Sequence, residues 1–365
     1  MALRRDFLKQ AAILAGAPLI ARSQSKSKRL DEFDPANTKI AHRVSSRLSD
    51  DDILFLKQIG MRWARVEFGD EEVPFEKLRA MQERFAKQGI GIYSCVQSAY
   101  RSLNVQLGRP GRDKDIETYC TFLRDCGGLG IPVASYDFHP GNTYTTSIVE
   151  RRGYKAREFD VSDFRNKVEK QMFDREYSAE EMWANYTYFF KAVLPVAEEA
   201  KVTLALHPDD PPLAKMNGVA KLFTNYEGYH RAEQLSNGSR YWGLTFCVGT
   251  WSEGGDRMGK SVFEMIQDFG RRGKLIEVHF RNVTSPLPHF VETFPDDGYM
   301  DMYQVMKALR EVRFTGAAEP DRRIGNAASG HGLHHCLYAI AVAARERRSR
   351  VAGLLIDAIG PDRSG

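Results

Sequence analysis

The feature that most constrains this chain is an ending repeated four times. The runs Val202-Thr-Leu-Ala-Leu-His-Pro-Asp-Asp-Pro-Pro212, Tyr241-Trp-Gly-Leu-Thr-Phe-Cys247, Leu275-Ile-Glu-Val-His-Phe-Arg-Asn282 and Thr315-Gly-Ala-Ala-Glu-Pro-Asp-Arg322 each pass from short, strand-forming apolar residues into side chains that bind metals or protons. A buried strand that delivers polar groups at its C-terminal mouth reads this way. One βα unit of an eight-fold barrel takes roughly 30 residues, more with insertions. His207, Cys247, His279 and Asp321 therefore fall about one unit apart and face one another around one hole.

Four earlier runs complete the count. Candidate strands lie at Lys39–Val44, Arg62–Phe68, Ile90–Val96 and Pro132–Phe138. Helical spacing fills 51–59, 75–88, 114–129, 180–200, 217–234, 262–271, 302–312 and 332–346. Helical pattern alternating with short β-type runs predicts an α/β fold with a parallel sheet and covering helices, here a (β/α)8 TIM barrel forming a single domain over 39–365. Trp183, Phe189, Val193, Leu194 and Ala197 recur three and four apart, as a core-facing stripe does, and are assigned to packing. The charged stretch 141–179 reads as an irregular excursion covering the mouth, a common use of long loops. The pair Arg151-Arg152 reads as solvated surface.

The start of the chain reads as an address. Arg4-Arg5 precede the apolar run Ala11–Ala21, and small residues at Ala21 and Ser23 supply a cleavage site, which together predict a twin-arginine signal over 1–23, followed by a polar, mobile arm at 24–38. The apolar run is too short to span a bilayer comfortably, so no membrane association is expected after signal removal. The segment carries Arg4, Arg5, Lys9 and Arg22 against Asp6, and its loss takes the formal net charge of +4 close to neutrality. That removes the basic bias a nucleic-acid partner would require. The five cysteines form no CxxC pair and are odd in number, so they are not a disulfide framework.

Two imidazoles, a thiolate and a carboxylate mix soft and hard donors. The mixture suits Mn2+, Fe2+, Co2+ or Zn2+ better than Mg2+ or Ca2+. Any one such residue alone would more often be a hydrogen-bonded core group or a small hydrophobe; it is the four in phase that point to a metal.

These blocks resemble a known family. His207-Pro-Asp-Asp-Pro-Pro212, Cys247-x-Gly249, His279-Phe-Arg-Asn-Val283, Phe290-x-Glu292 with Asp297-Gly298, Pro320-Asp321 and Leu107-Gly-Arg-Pro-Gly-Arg-Asp113 with its continuation to Val133 are similar, in sequence and order, to the mannonate dehydratases. The resemblance covers roughly residues 60 to 340. It implies a xylose-isomerase-like barrel that uses a divalent metal, typically Mn2+, to dehydrate D-mannonate to 2-keto-3-deoxy-D-gluconate, with His207, Cys247, His279 and Asp321 as ligands.

Removing the C2 proton of an aldonate is difficult beside an anionic carboxylate, and a metal at that end eases it. Arg281 and Asn282 are placed to hold the substrate carboxylate and hydroxyls. Asp209 and Asp210 are candidates for orienting the ligand imidazoles or binding sugar hydroxyls, with helix capping as the bland alternative. The chain departs from the family pattern at Arg322, where the family has an acid–base histidine; a guanidinium is no base but anchors anions. Gln97-Ser98, Thr145-Thr146, Asp137 and His139 also depart. His331 and Tyr338 are the remaining acid–base candidates. Three classes follow: a sugar-acid lyase, an exported isomerase or epimerase acting on a keto-sugar, and a sugar-acid binder without catalysis. A homo-oligomer is compatible with all three.

Export to the periplasm is expected, by a route that carries folded proteins and so permits metal insertion beforehand. Replacing Arg4 and Arg5 by Lys should hold the protein in the cytoplasm, because the receptor reads the pair; unchanged cell fractionation of that variant would refute the twin-arginine route.

Overall fold

The computed structural model describes residues 33–320 except 35, 70 and 71. The signal segment, most of the arm, the helical run 332–346, Asp321, Arg322, His331 and Tyr338 lie outside the described residues. Eight strands, β1 (Lys39–Ser45), β2 (Trp63–Glu67), β3 (Gly91–Val96), β4 (Val133–Tyr136), β5 (Thr203–Leu206), β6 (Trp242–Cys247), β7 (Leu275–His279) and β8 (Ala317–Glu319), pair in parallel. They close into one barrel, β8 pairing with β1. The expected strands are all present, within a few residues at each end. Strands covered on both faces read as continuous apolar runs, which is why they could be located.

Local chemistry sets where the helices begin. Ser49 with Asp52, Ser178 with Glu181, and Ser261 with Glu264 each form a capping box at a helix N-terminus, satisfying backbone N–H groups that the first turn leaves over. The helix Ala179–Ala200 buries Met182, Trp183, Tyr186, Phe189, Phe190, Val193 and Ala197 against the barrel, as the spacing required. No helix among the described residues is long and apolar enough to cross a membrane.

Two expectations need correction. The stretch 141–179 is not irregular: Ser147–Arg151 and Tyr154–Asp160 form an antiparallel hairpin, and the second strand pairs with His289–Thr293 from the segment after β7. With Asn282–Val283 they make a four-stranded sheet. Its turn residues Arg152 and Gly153 both have positive φ, the backbone that matches strand twist in a two-residue hairpin loop. Phe159, Phe164, Leu213, Met216, Val283, Leu287 and Phe290 give it a small core of its own. Arg151 is no idle surface charge, since its Nε donates to Asp297 Oδ2 at 2.7 Å.

The expected helix 217–234 begins only at Tyr226. Lys215–Met216 and Val219–Ala220 pair instead around Asn217-Gly218, both at positive φ, an Asn-Gly turn whose signal outranks helical periodicity. The Asn217 amide donates to Gly141 O and Thr143 Oγ1 and accepts from Lys170 N, tying the hairpin to the β4 excursion.

His42 on β1 is fully buried, and neither ring nitrogen has a hydrogen-bond partner. Burial pushes its pKa down to about 4, against the pull of Glu319 and with help from Arg43. Between the ordinary imidazole value and 4 the unfolded chain binds a proton that the folded chain refuses, so stability falls as pH drops through this window. The expected loss from pH 7 to pH 4 is roughly 3 kcal/mol from this group. Urea unfolding of His42→Leu should show a shallower acid slope by about that amount; identical slopes would contradict the assignment.

Candidate metal centre

Side chains alternate in direction along a strand, so residues two apart share the barrel interior. On β7 and just past it this places Glu277, His279 and Arg281 in a rising column, each buried. Glu277 sits lowest, accepting from Thr245 Oγ1 at 3.0 Å and from the hydroxyls of Ser94 and Ser135. Above it Arg65 donates to Glu319 Oε1 at 2.6 Å. Glu319 is buried, yet Arg65 and His279 outweigh the burial and hold its carboxyl down to about 2, so it is an anion that only accepts.

That charge borders the ring of His279. His279 Nε2 lies 2.7 Å from both Glu319 Oε1 and Arg65 Nη1; when it donates to the carboxylate, Nδ1 is an acceptor, and when it accepts from the guanidinium, Nδ1 carries the hydrogen. His207 Nδ1 lies 2.7 Å from the carbonyl oxygen of Pro208 and donates to it, leaving Nε2 as an acceptor. This nitrogen and His279 Nδ1 face each other at 3.2 Å. Cys247 joins them, the ligand atoms of all three lying within 4.8 Å of one another. Its Sγ accepts from Thr250 N at 3.3 Å. A hydrogen on His279 Nδ1 can bridge the two rings, and a cation that displaces it takes both nitrogens as ligands. The donor set therefore fits a divalent cation held by His207, Cys247 and His279.

A cavity of about 580 Å³ opens above this cluster, lined by Arg43, Arg65, Arg101, Tyr136, Asp137, His139, Tyr144, Arg157, His207, Asp210, His279 and Arg281. Its polarity is strongly cationic. Arg101 Nε donates to Asp137 Oδ2 at 3.0 Å; burial pushes Asp137 up, but Arg101 and the nearby histidines hold it well below the usual carboxylate range. Arg43 pairs with Glu67 at 2.6 Å.

The residues singled out from sequence divide. Arg281 lines the cavity but is a hub, donating to Asp210 Oδ2, Glu253 Oε1, Glu292 Oε1 and Thr250 Oγ1 at 2.6–3.1 Å. Gly249 lacks a side chain for this reason: a Cβ there would meet Arg281 Nε at 2.2 Å. Asn282 is absent from the cavity lining; its amide binds the carbonyls of Pro295 and Met300, pinning the loop that contains Gly298. Asp209 Oδ2 accepts from the backbone of Leu222 and Phe223. Pro208 O contacts the His207 ring, and Glu319 and Arg65 contact that of His279, while Asp210 accepts from Arg281. Arg43, Arg65, Arg101, Arg157 and Tyr144 also line the cavity and Glu319 supports it from below; of these, Arg65 and Glu319 are marked in the sequence as charges inside apolar strands.

A family model described as D-mannonate dehydratase matches residues 161–342. The mannonate dehydratase of Streptococcus pneumoniae is 31% identical over 293 residues, covering 72% of this chain and 78% of that protein. This chain belongs to the mannonate dehydratase family. A relative of the same name from Thermotoga maritima is 27% identical over 283 residues, covering 68% and 77%. The solved mannonate dehydratase from Streptococcus suis serotype 2 superposes with a TM-score of 0.75 at 27% identity, covering 86% of this chain and 96% of that one. An L-ribulose 3-epimerase structure superposes at 0.58 with 13% identity, covering 90% and 100%, a likeness of fold alone.

For a mannonate dehydratase relative whose imidazoles are preset in this way, ligand loss and orienter loss should differ in size. His207→Ala or His279→Ala should abolish stoichiometric metal in the purified protein, whereas Glu319→Gln should weaken metal affinity by about 10–100-fold. Elemental analysis and chelator competition check both; full metal retention in either alanine variant would contradict the site.

Proposed function

We propose that this chain is a metal-dependent hydro-lyase that dehydrates D-mannonate to 2-keto-3-deoxy-D-gluconate in the periplasm. The observation that carries the reading is the convergence of two imidazole nitrogens and a thiol beneath a cationic cavity, in a chain of this family. His207, Cys247 and His279 hold the cation, with Asp321 as the fourth ligand; Mn2+ fits the donors, as do Fe2+, Co2+ and Zn2+. A bound divalent cation would supply positive charge where C2 loses its proton next to the carboxylate.

The remaining work falls to side chains. Arg43, Arg101 and Arg157 give the cavity the field that draws in and orients an aldonate. Arg281 is engaged in the wall itself, where it holds Asp210, Glu253 and Glu292. Arg322 anchors the carboxylate, since its planar cation suits bidentate binding. His331 or Tyr338 takes the C2 proton.

Incubation of Mn2+-loaded protein with D-mannonate, D-gluconate and keto-sugars, followed by NMR of the products, decides the matter. The expected product is 2-keto-3-deoxy-D-gluconate from mannonate, with Arg322→Lys raising KM more than it lowers kcat. Unchanged mannonate alongside an epimerised keto-sugar would overturn the reading in favour of an epimerase.

A further inference from the structure

Loss of the C3 hydroxyl requires an acid, and the cavity narrows the choice among the described residues. Its arginines do not release protons. Asp137 and Asp210 are engaged as acceptors by Arg101 and Arg281. Tyr136 is turned away, its hydroxyl bonded to Tyr186 at 2.9 Å and to Trp242 Nε1 at 3.2 Å. His207 and His279 point at each other over the metal position. Tyr144 and His139 remain.

These two form a built pair. Tyr144 Oη lies 2.8 Å from His139 Nε2, and Asp137 Oδ1 lies 3.3 Å from the same nitrogen. Asp137 in turn accepts from Tyr100 Oη at 3.0 Å and from Arg101, so its carboxylate is fixed. Behind the ring, His139 Nδ1 and Asp209 Oδ1 are 3.9 Å apart, both buried and without a hydrogen-bond partner. Lys221 Nζ donates to Pro140 O at 2.5 Å, which secures the loop that carries the pair. Asp137 faces Nε2 and accepts only, which favours a hydrogen on Nε2 offered to the phenol oxygen. The phenol hydrogen is then turned away from the ring and toward the cavity.

We propose that Tyr144 delivers the proton to the departing C3 hydroxyl, with His139 and Asp137 as its supply line. The inference rests on the dehydration reading above. As the C3–O bond breaks, its electron pair goes to the oxygen, which takes the Tyr144 proton and leaves as water. The C2–C3 double bond forms from the electrons left when C2 lost its proton. The imidazolium form of His139 returns a proton from Nε2 to the Tyr144 phenolate, and the neutral ring left behind takes one from solvent. The enol then becomes the ketone by protonation at C3. Tyr144 is the catalytic residue here, and His139 positions and refills it.

The test separates this step from the first one. Mn2+-loaded wild type, Tyr144→Phe and His139→Gln are incubated in D2O with D-mannonate and, separately, with 3-deoxy-3-fluoro-D-mannonate, whose fluoride leaves without needing a proton. Tyr144→Phe should lower dehydration by about 10²–10⁴-fold, with His139→Gln lowering it less. Both variants should still exchange the C2 hydrogen for deuterium, seen by NMR in unconsumed mannonate. Both should also release fluoride from the analogue at close to the wild-type rate. If exchange and fluoride release fall as far as dehydration, the pair is structural and the proposal is wrong. Wild type that does not dehydrate mannonate at all would overturn the parent reading and this inference with it, a result visible before any variant is compared.

Discussion

The Arg65–Glu319 ion pair inside the barrel is the contact on which the site depends. Both side chains are buried, and desolvating such charges costs several kcal/mol apiece unless each finds its partners. Here the partners are arranged vertically. Arg65 lies between Glu319 and Glu277 and feels both, while Ser94, Ser135 and Thr245 solvate Glu277 from around the barrel. Glu319 and Arg65 both hold His279 at Nε2, so its other nitrogen is presented to the mouth as a ligand. An apolar replacement of the pair would pack as well and could be neutral for stability; it would release the imidazole's orientation. The pair is therefore explained by what it does to His279 rather than by the energy it adds.

The same logic governs the wall of the cavity. Three carboxylates, Asp210, Glu253 and Glu292, converge on one buried guanidinium. Burial and the neighbouring Asp210 push the Glu253 carboxyl well above its ordinary range, with Arg281 pulling the other way. Such a hub joins the loops after β5, β6 and β7, since Asp210, Glu253 and Arg281 each come from a different one. The excursion sheet adds Glu292 from above. Loops that would otherwise move independently are thereby joined above the metal ligands, and Gly249 is the small residue that lets the guanidinium pass between them.

Much of this was legible in the sequence, for a physical reason. A strand covered on both faces must be apolar along its length, so a His or Cys at its end stands out, and His207, Cys247 and His279 do come together. What escaped is of two kinds. Arg65 and Glu319 are 254 residues apart, and no local pattern announces that two charges in separate strands will pair; only their presence inside apolar runs hints at it. The hairpin strand Ser147–Arg151 alternates half-buried and exposed positions, so its periodicity is too faint to separate it from loop. Asn217-Gly218 was the opposite case: the turn signal was present and was outweighed by helical spacing that the backbone does not follow.

The central claim is that the barrel's buried charges present two imidazole nitrogens and one thiolate to a single cation. X-ray absorption spectroscopy of the metal-loaded protein measures that shell directly. With zinc as the probe, the account predicts one sulfur at about 2.3 Å together with histidine nitrogens at about 2.0–2.1 Å, and oxygen for the rest. A shell of oxygen alone, or one lacking both sulfur and imidazole scattering, would contradict it.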